Sequence, residues 1–114
     1  MTTLPGEDPA TIAARDIGEV PAVEVITTVA LHLMTAAAVA CGLSDPEEQD
    51  LAEARILINA LAALITGAAP DLGTFHAGPL RDGLKSLQLA FREASIPPDA
   101  PGRGPGERFT GPVA

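Results

Sequence analysis

Residues 22–41 read AVEVITTVALHLMTAAAVAC, and nothing between positions 25 and 43 carries a formal charge. Pro21, just ahead of the run, suits the first position of a helix. Gly42, just behind it, suits the residue that follows a helix. The sequence therefore predicts a helix over about 21–41. Its polar residues Glu24, Thr28, His32 and Thr35 fall on one narrow stripe, and the rest of the surface is apolar. A helix apolar on nearly all sides needs cover on nearly all sides.

Two further helices follow. Asp45, Pro46 and Glu48 form a capping-box pattern, which predicts a second helix over about 46–66, stopped by Gly67. Leu51, Ala54, Ile58, Leu61 and Ile65 make one stripe of it, and Leu57 and Leu64 another. From Ile56 to Ile65 the only polar residue is Asn59. Pro79 is expected to open the third helix, over about 79–94, with a looser turn around 74–77 before it and Ser95 and Pro97 closing it. Leu80, Leu84, Leu87, Phe91 and Ala94 lie on one face at helical spacing. Arg81, Asp82, Lys85, Gln88, Arg92 and Glu93 occupy the remainder, and Leu89 lies near the opposite side.

The expected fold is all-α: a small bundle of three main helices forming a single domain over about 17–95. Residues 1–16 are expected to be a flexible lead with a short helix after Asp8 as an option. Residues 96–114, IPPDAPGRGPGERFTGPVA, are rich in Pro and Gly without a repeat. Such a segment buries too little apolar surface to offset its ordering entropy, so it is expected to be a disordered tail. A domain of roughly 80 residues has a marginal core, and three helices cannot wrap two that are apolar all round. A symmetric second copy is the simplest remedy. The expected dimer core is Val29, Leu33, Ala37, Ala40, Ile58, Leu61 and Ile65, with small residues 36–40 allowing close helix approach.

Charge and composition narrow the function. The formal net charge is −8, which disfavours free DNA binding and anionic lipid, since both depend on a basic surface. Tyr and Trp are absent and Phe occurs 3 times, so aromatic platforms for stacking bases are missing. Bases cluster only in the third helix, where Arg81, Lys85 and Arg92 could face a partner. The uncharged run at 25–43 is long enough to span a bilayer, but it is Ala- and Thr-rich and has acidic flanks, so a buried core helix is expected and no membrane. One cysteine, Cys41, excludes an internal disulfide, and no basic lead suggests a signal peptide. The expected compartment is the cytoplasm.

No residue set reads as a catalytic or metal site, and no cofactor is expected. His32 and Asn59 are the two polar side chains in otherwise apolar stretches, and together they define a speculative pocket. A buried Asn more often fixes helix register. His76 lacks companions at zinc-ligand spacing. Ser86 and Ser95 lack a nearby base. The glycines at 102, 104 and 106 follow no strand and open no long helix, so they are no phosphate loop.

The stretches ITTVALHLMTAAAVACGL, DLAEARILINALAALITG and LRDGLKSLQLAFREAS together resemble the bacterial domain-of-unknown-function family numbered 1844, in its actinobacterial form. The resemblance covers about residues 17–95. The family's Ile-Asp pair in the second helix is matched here by Ile58 and Asn59. Its basic Lys-Thr-x-Gly-Asn-Leu turn is replaced by Gly67, Ala68, Ala69, Pro70, Asp71 and Leu72. Its Leu- and Arg-rich closing helix corresponds to Leu87 through Arg92. The resemblance implies a small cytoplasmic helical protein without assigned activity, encoded near translation genes. The leading expectation is a non-enzymatic, dimeric interaction protein whose partners are a second copy and an unidentified protein. Two alternatives stand beside it: a small-ligand binder or enzyme built around His32 and Asn59, and a translation- or ribosome-associated factor using Arg81, Lys85 and Arg92.

Overall fold

A computed structural model describes residues 18–113, and the expected flexible lead over 1–16 lies outside them. Among the described residues there are only helices, turns and loops: α1 (Ala22–Ala40), a 3₁₀ turn (Pro46–Glu48), α2 (Leu51–Leu72), α3 (Thr74–Ala94) and the short α4 (Glu107–Thr110). The all-helical expectation and its three main helices hold.

α1 begins and ends close to where the sequence places it. Pro21 stands just outside, and its carbonyl accepts from the N–H groups of Glu24 and Val25 at 3.0 and 3.2 Å. At the other end Gly42 takes a φ of +82°. That lets the N–H of Gly42 reach Val39 O at 2.9 Å and the N–H of Leu43 reach Ala38 O at 3.1 Å, the two bonds that close a helix in the Schellman manner.

The second helix starts later than expected. Asp45 caps only the 3₁₀ turn, its carboxylate accepting from the N–H of Glu47 at 2.9 Å. Gln49 is extended, and it and Asp50 tie the linker to the end of α1: Gln49 Nε2 donates to Cys41 O at 3.1 Å, and Asp50 N–H to Ala40 O at 2.8 Å. Asp50 is the cap of α2, accepting from Glu53 N–H at 3.2 Å.

Two prolines and a glycine fail to stop helices. α2 runs past Gly67 and through Pro70 to Leu72, and α3 opens at Thr74, ahead of Pro79. Each proline removes one backbone bond. In return, Ala68, Ala69 and Leu72 extend the buried stripe of α2, and Ala77 and Leu80 extend that of α3. Gly73, with φ +77°, makes the turn between them.

The core runs between all three long helices. Ile58, Leu61 and Ile65 are its largest fully buried side chains, packed with Leu84, Leu87 and Phe91 of α3. Ala30 and Ala37, seven residues apart, are wholly buried on α1. Gly83 on α3 leaves room for the tip of Met34. This corrects the expected dimer face. Ala37, Ala40, Ile58, Leu61 and Ile65 lie inside one copy, Leu33 packs partly buried against them, and only Val29 is substantially exposed, at 46%. Small side chains on α1 bring the helices close enough for one copy to close its own core. The apolar surplus sits instead on the outside of α1, whose 18-residue window has 11% of its residues buried.

Residues 96–113 differ most from expectation. They do not project from the bundle. They cross α2 and α3 as a C-terminal strap that ends in α4, and Phe109 packs against the core.

Candidate binding groove beneath the C-terminal strap

Polar side chains on α2 and α3 hold the strap. Arg55 pairs with Asp99 at 2.8 Å, reaches Arg103 O at 3.4 Å, and lies 4.9 Å from the centre of the Phe91 ring. Arg92 donates to Asp99 O at 3.3 Å. One helical turn beyond Arg55, Asn59 Oδ1 accepts from Gly106 N–H at 2.7 Å. Gln88, buried on α3, donates from Nε2 to Pro105 O and to Thr110 Oγ1, both at 3.1 Å. Gly106 must be glycine on two counts. Its φ is +75°, and a Cβ there would stand 2.9 Å from both Ala62 Cβ and Gln88 Nε2.

Within the strap, Glu107 organises the turn. Its carboxylate accepts from the N–H groups of Gly102 at 3.4 Å and Val113 at 2.9 Å, and from Gly104 at 2.8 Å. These backbone donors satisfy a carboxylate that is itself buried, a requirement for any charge taken out of water.

Where α4 and the last described residues lean over α2 and α3 they leave a half-open groove of about 560 Å³. Ile65, Leu84, Phe109 and Val113 contribute apolar wall, and Arg81 and Lys85 stand one turn apart on α3 at its edge. Both cations are exposed, and among the described residues neither forms an ion pair.

The residues singled out from sequence distribute unevenly around this groove. His32 is exposed on the outer side of α1. Asn59 is bonded to the strap, and neither residue lines the groove. The structure therefore does not gather them into one pocket. Arg81 and Lys85 are brought together, whereas Arg92 is turned to the strap. His76 is exposed and meets Phe75, ring edge to ring face at 5.2 Å. Cys41 is buried, and that burial pushes its thiol pKa up, away from a reactive thiolate. Among the described residues, no three His, Cys, Asp or Glu side chains are grouped to hold a metal ion. Sequence reasoning missed Gln88 and Glu107. Gln88 reads as part of the polar side of an amphipathic helix and Glu107 as part of a Pro- and Gly-rich tail, so neither carries a signal. The one available was Asn59, a polar residue in an apolar helix centre that asks for a buried partner.

Two helices, Ala22–Ala40 and Leu51–Leu72, are long and apolar enough to cross a membrane by length and composition alone, a test that core helices of soluble proteins also pass. A family model described as Domain of unknown function (DUF1844) matches residues 22–93, which span the three long helices and stop short of the strap. No curated protein and no solved structure matches the chain.

Proposed function

The chain belongs to the Domain of unknown function (DUF1844) family, and from that premise, which brings no activity with it, we propose that it is a non-enzymatic cytoplasmic protein that acts by pairing with a second copy of itself through the outer face of α1. One observation carries the reading. Ala22, Val25, Val29, His32, Ala36 and Val39 recur at alternating spacings of three and four along α1, and every one is exposed or half-exposed. A seam of that period is the pattern by which two helices pack side by side. It interrupts its apolar run only once, at His32, and its small residues allow close approach. The same surface facing itself across a two-fold axis would cover it in both copies.

The test is mass in solution. Light scattering behind size exclusion at micromolar concentration should give twice the 11.6 kDa of one chain. Val29→Glu should return the mass to one chain without unfolding it, whereas Ala60→Glu, on the exposed face of α2, should leave the pair intact. A wild-type mass of one chain refutes self-association, and recovery of the chain in a lipid-bound form would move α1 to a membrane role. Ala37→Glu is not a usable probe, because Ala37 is fully buried within one copy and a charge there would unfold it.

A further inference from the structure

We propose that the groove between α3 and the strap binds a free amphipathic anion, a small molecule with one apolar chain ending in a carboxylate or phosphate. The groove's volume of about 560 Å³ falls in the range of roughly 300–1,000 Å³ usual for small-molecule sites. Its lining makes two opposite demands. Arg81 and Lys85 project from successive turns of α3 with no anionic partner among the described residues. They are two of only 7 bases in a chain with 15 acids, and even with Asp82 beside Arg81 they leave this stretch of α3 net positive. A guanidinium offers a planar fork that matches carboxylate and phosphate oxygens, and an ammonium adds a mobile point charge.

The apolar wall is Ile65 of α2 and Leu84 of α3, with Phe109 and Val113 from the strap. Of the polar groups set among them, Gln88 and Thr110 are already engaged, and Thr66 adds one exposed hydroxyl. Gln88 Nε2 serves Pro105 O and Thr110 Oγ1, and the Thr110 hydroxyl donates to Gly111 O at 2.9 Å. What remains to be satisfied is chiefly apolar surface and the positive charge of two side chains. A sugar or a neutral polar metabolite meets neither demand, and a fully apolar molecule leaves the cations unanswered. Half the apolar wall comes from the strap, so the site exists only while the strap is docked.

The experiment uses the full chain, decanoate and decyl phosphate as probes below their micelle-forming concentrations, and decanol as the uncharged analogue. Calorimetry should show saturable one-to-one binding of both anions. In nitrogen-15 spectra the amide shifts should centre on Leu84, Phe109, Thr110 and Val113. Decanol should bind at least about tenfold more weakly, and so should decanoate to the Arg81→Glu/Lys85→Glu double variant, about 1.4 kcal/mol or more in each case. Both substituted residues are exposed, and an unchanged melting temperature confirms that the variant is folded. Equal affinity for decanol, undiminished binding by the double variant, shifts confined to α1, or no saturation would each overturn the proposal. Binding to anionic vesicles without binding to the free probes would also overturn it, since the proposed ligand is a free molecule.

Discussion

Replacing Gly106 by alanine tests whether the strap is docked as described. The substitution adds one methyl group, but at φ +75° that methyl lies in the left-handed region and 2.9 Å from both Ala62 Cβ and Gln88 Nε2. The backbone conformation alone costs about 1–2 kcal/mol for a residue with a Cβ. Forcing a methyl into filled space adds about 1–3 kcal/mol. The Gly106 N–H bond to Asn59 is also put at risk, worth about 1 kcal/mol. A total of about 3–6 kcal/mol against a segment of this size should undock the strap and leave the bundle standing. Gly102→Ala is the matched control: its φ is +82°, yet nothing lies within 4 Å of the added Cβ, so it carries the backbone cost alone. Trypsin reports the outcome, because Arg103 and Arg108 lie in the strap. Cleavage after Arg103 should be slow in the wild type, modestly faster in Gly102→Ala and much faster in Gly106→Ala. Hydrogen exchange at the Gly106 amide should rank the three proteins the same way. If Gly106→Ala behaves like Gly102→Ala, or if the wild type is cut as fast as an unfolded peptide, the docked strap is refuted.

Ile58→Ala opens a cavity at a wholly buried site and should cost about 2–5 kcal/mol in urea unfolding; a loss below 1 kcal/mol would mean that the core is not closed there. Val29→Glu, by contrast, should change the unfolding free energy of a single copy by no more than about 0.5 kcal/mol, because Val29 is 46% exposed, and a larger loss would show that α1 is buried more deeply than described. Cys41 should react with a disulfide reagent far more slowly in the folded protein than in denaturant, and equal rates would contradict its burial. Its raised pKa has a definite sign for stability. The folded state favours the neutral thiol, so its contribution is complete below the free-thiol pKa of about 8.5 and is lost as pH rises through the higher folded value. Wild type should therefore lose stability relative to Cys41→Ala across that alkaline window.

Much of the fold is legible in the residues because helix signals are local. Pro21, Gly42 and the apolar stripes place α1 and the middles of α2 and α3. The boundaries that fail do so where tertiary burial outweighs a local rule. Pro70 and Pro79 are tolerated because the turns around them bury Ala68, Ala69, Leu72 and Ala77. The expected dimer core fails for a related reason: a stripe shows that it is buried, not which surface buries it. The strap was hidden more thoroughly. Its composition is that of a disordered tail, and its docking depends largely on backbone groups together with a few scattered side chains, Asp99, Phe109 and Thr110, that form no periodic pattern. Its clearest trace in the helices is Asn59, an amide set in the apolar centre of α2; Gln88, Arg55 and Arg92 read as ordinary polar helix positions.

The two anchors at the front of the strap grip a single turn of α2. Asp99 is held by Arg55 and Gly106 by Asn59, positions about 6 Å apart along the helix axis. Seven peptide steps separate Asp99 from Gly106, enough to reach about 24 Å if fully extended. The intervening chain therefore doubles back as a bight: Arg103 N–H bonds Ala100 O, Arg55 holds Arg103 O, and Glu107 takes the N–H groups of Gly102 and Gly104. Extra residues spliced in at the exposed Ala100 and Pro101, ahead of the Glu107 bonds, would give up that one turn bond and lengthen the bight without moving either knot, and loop closure rises only slowly with length. A single residue inserted between Pro105 and Gly106 would instead shift a side chain into the notch that admits none. The strap thus offers one stretch open to grafted peptides, a few residues from one that tolerates no change in count.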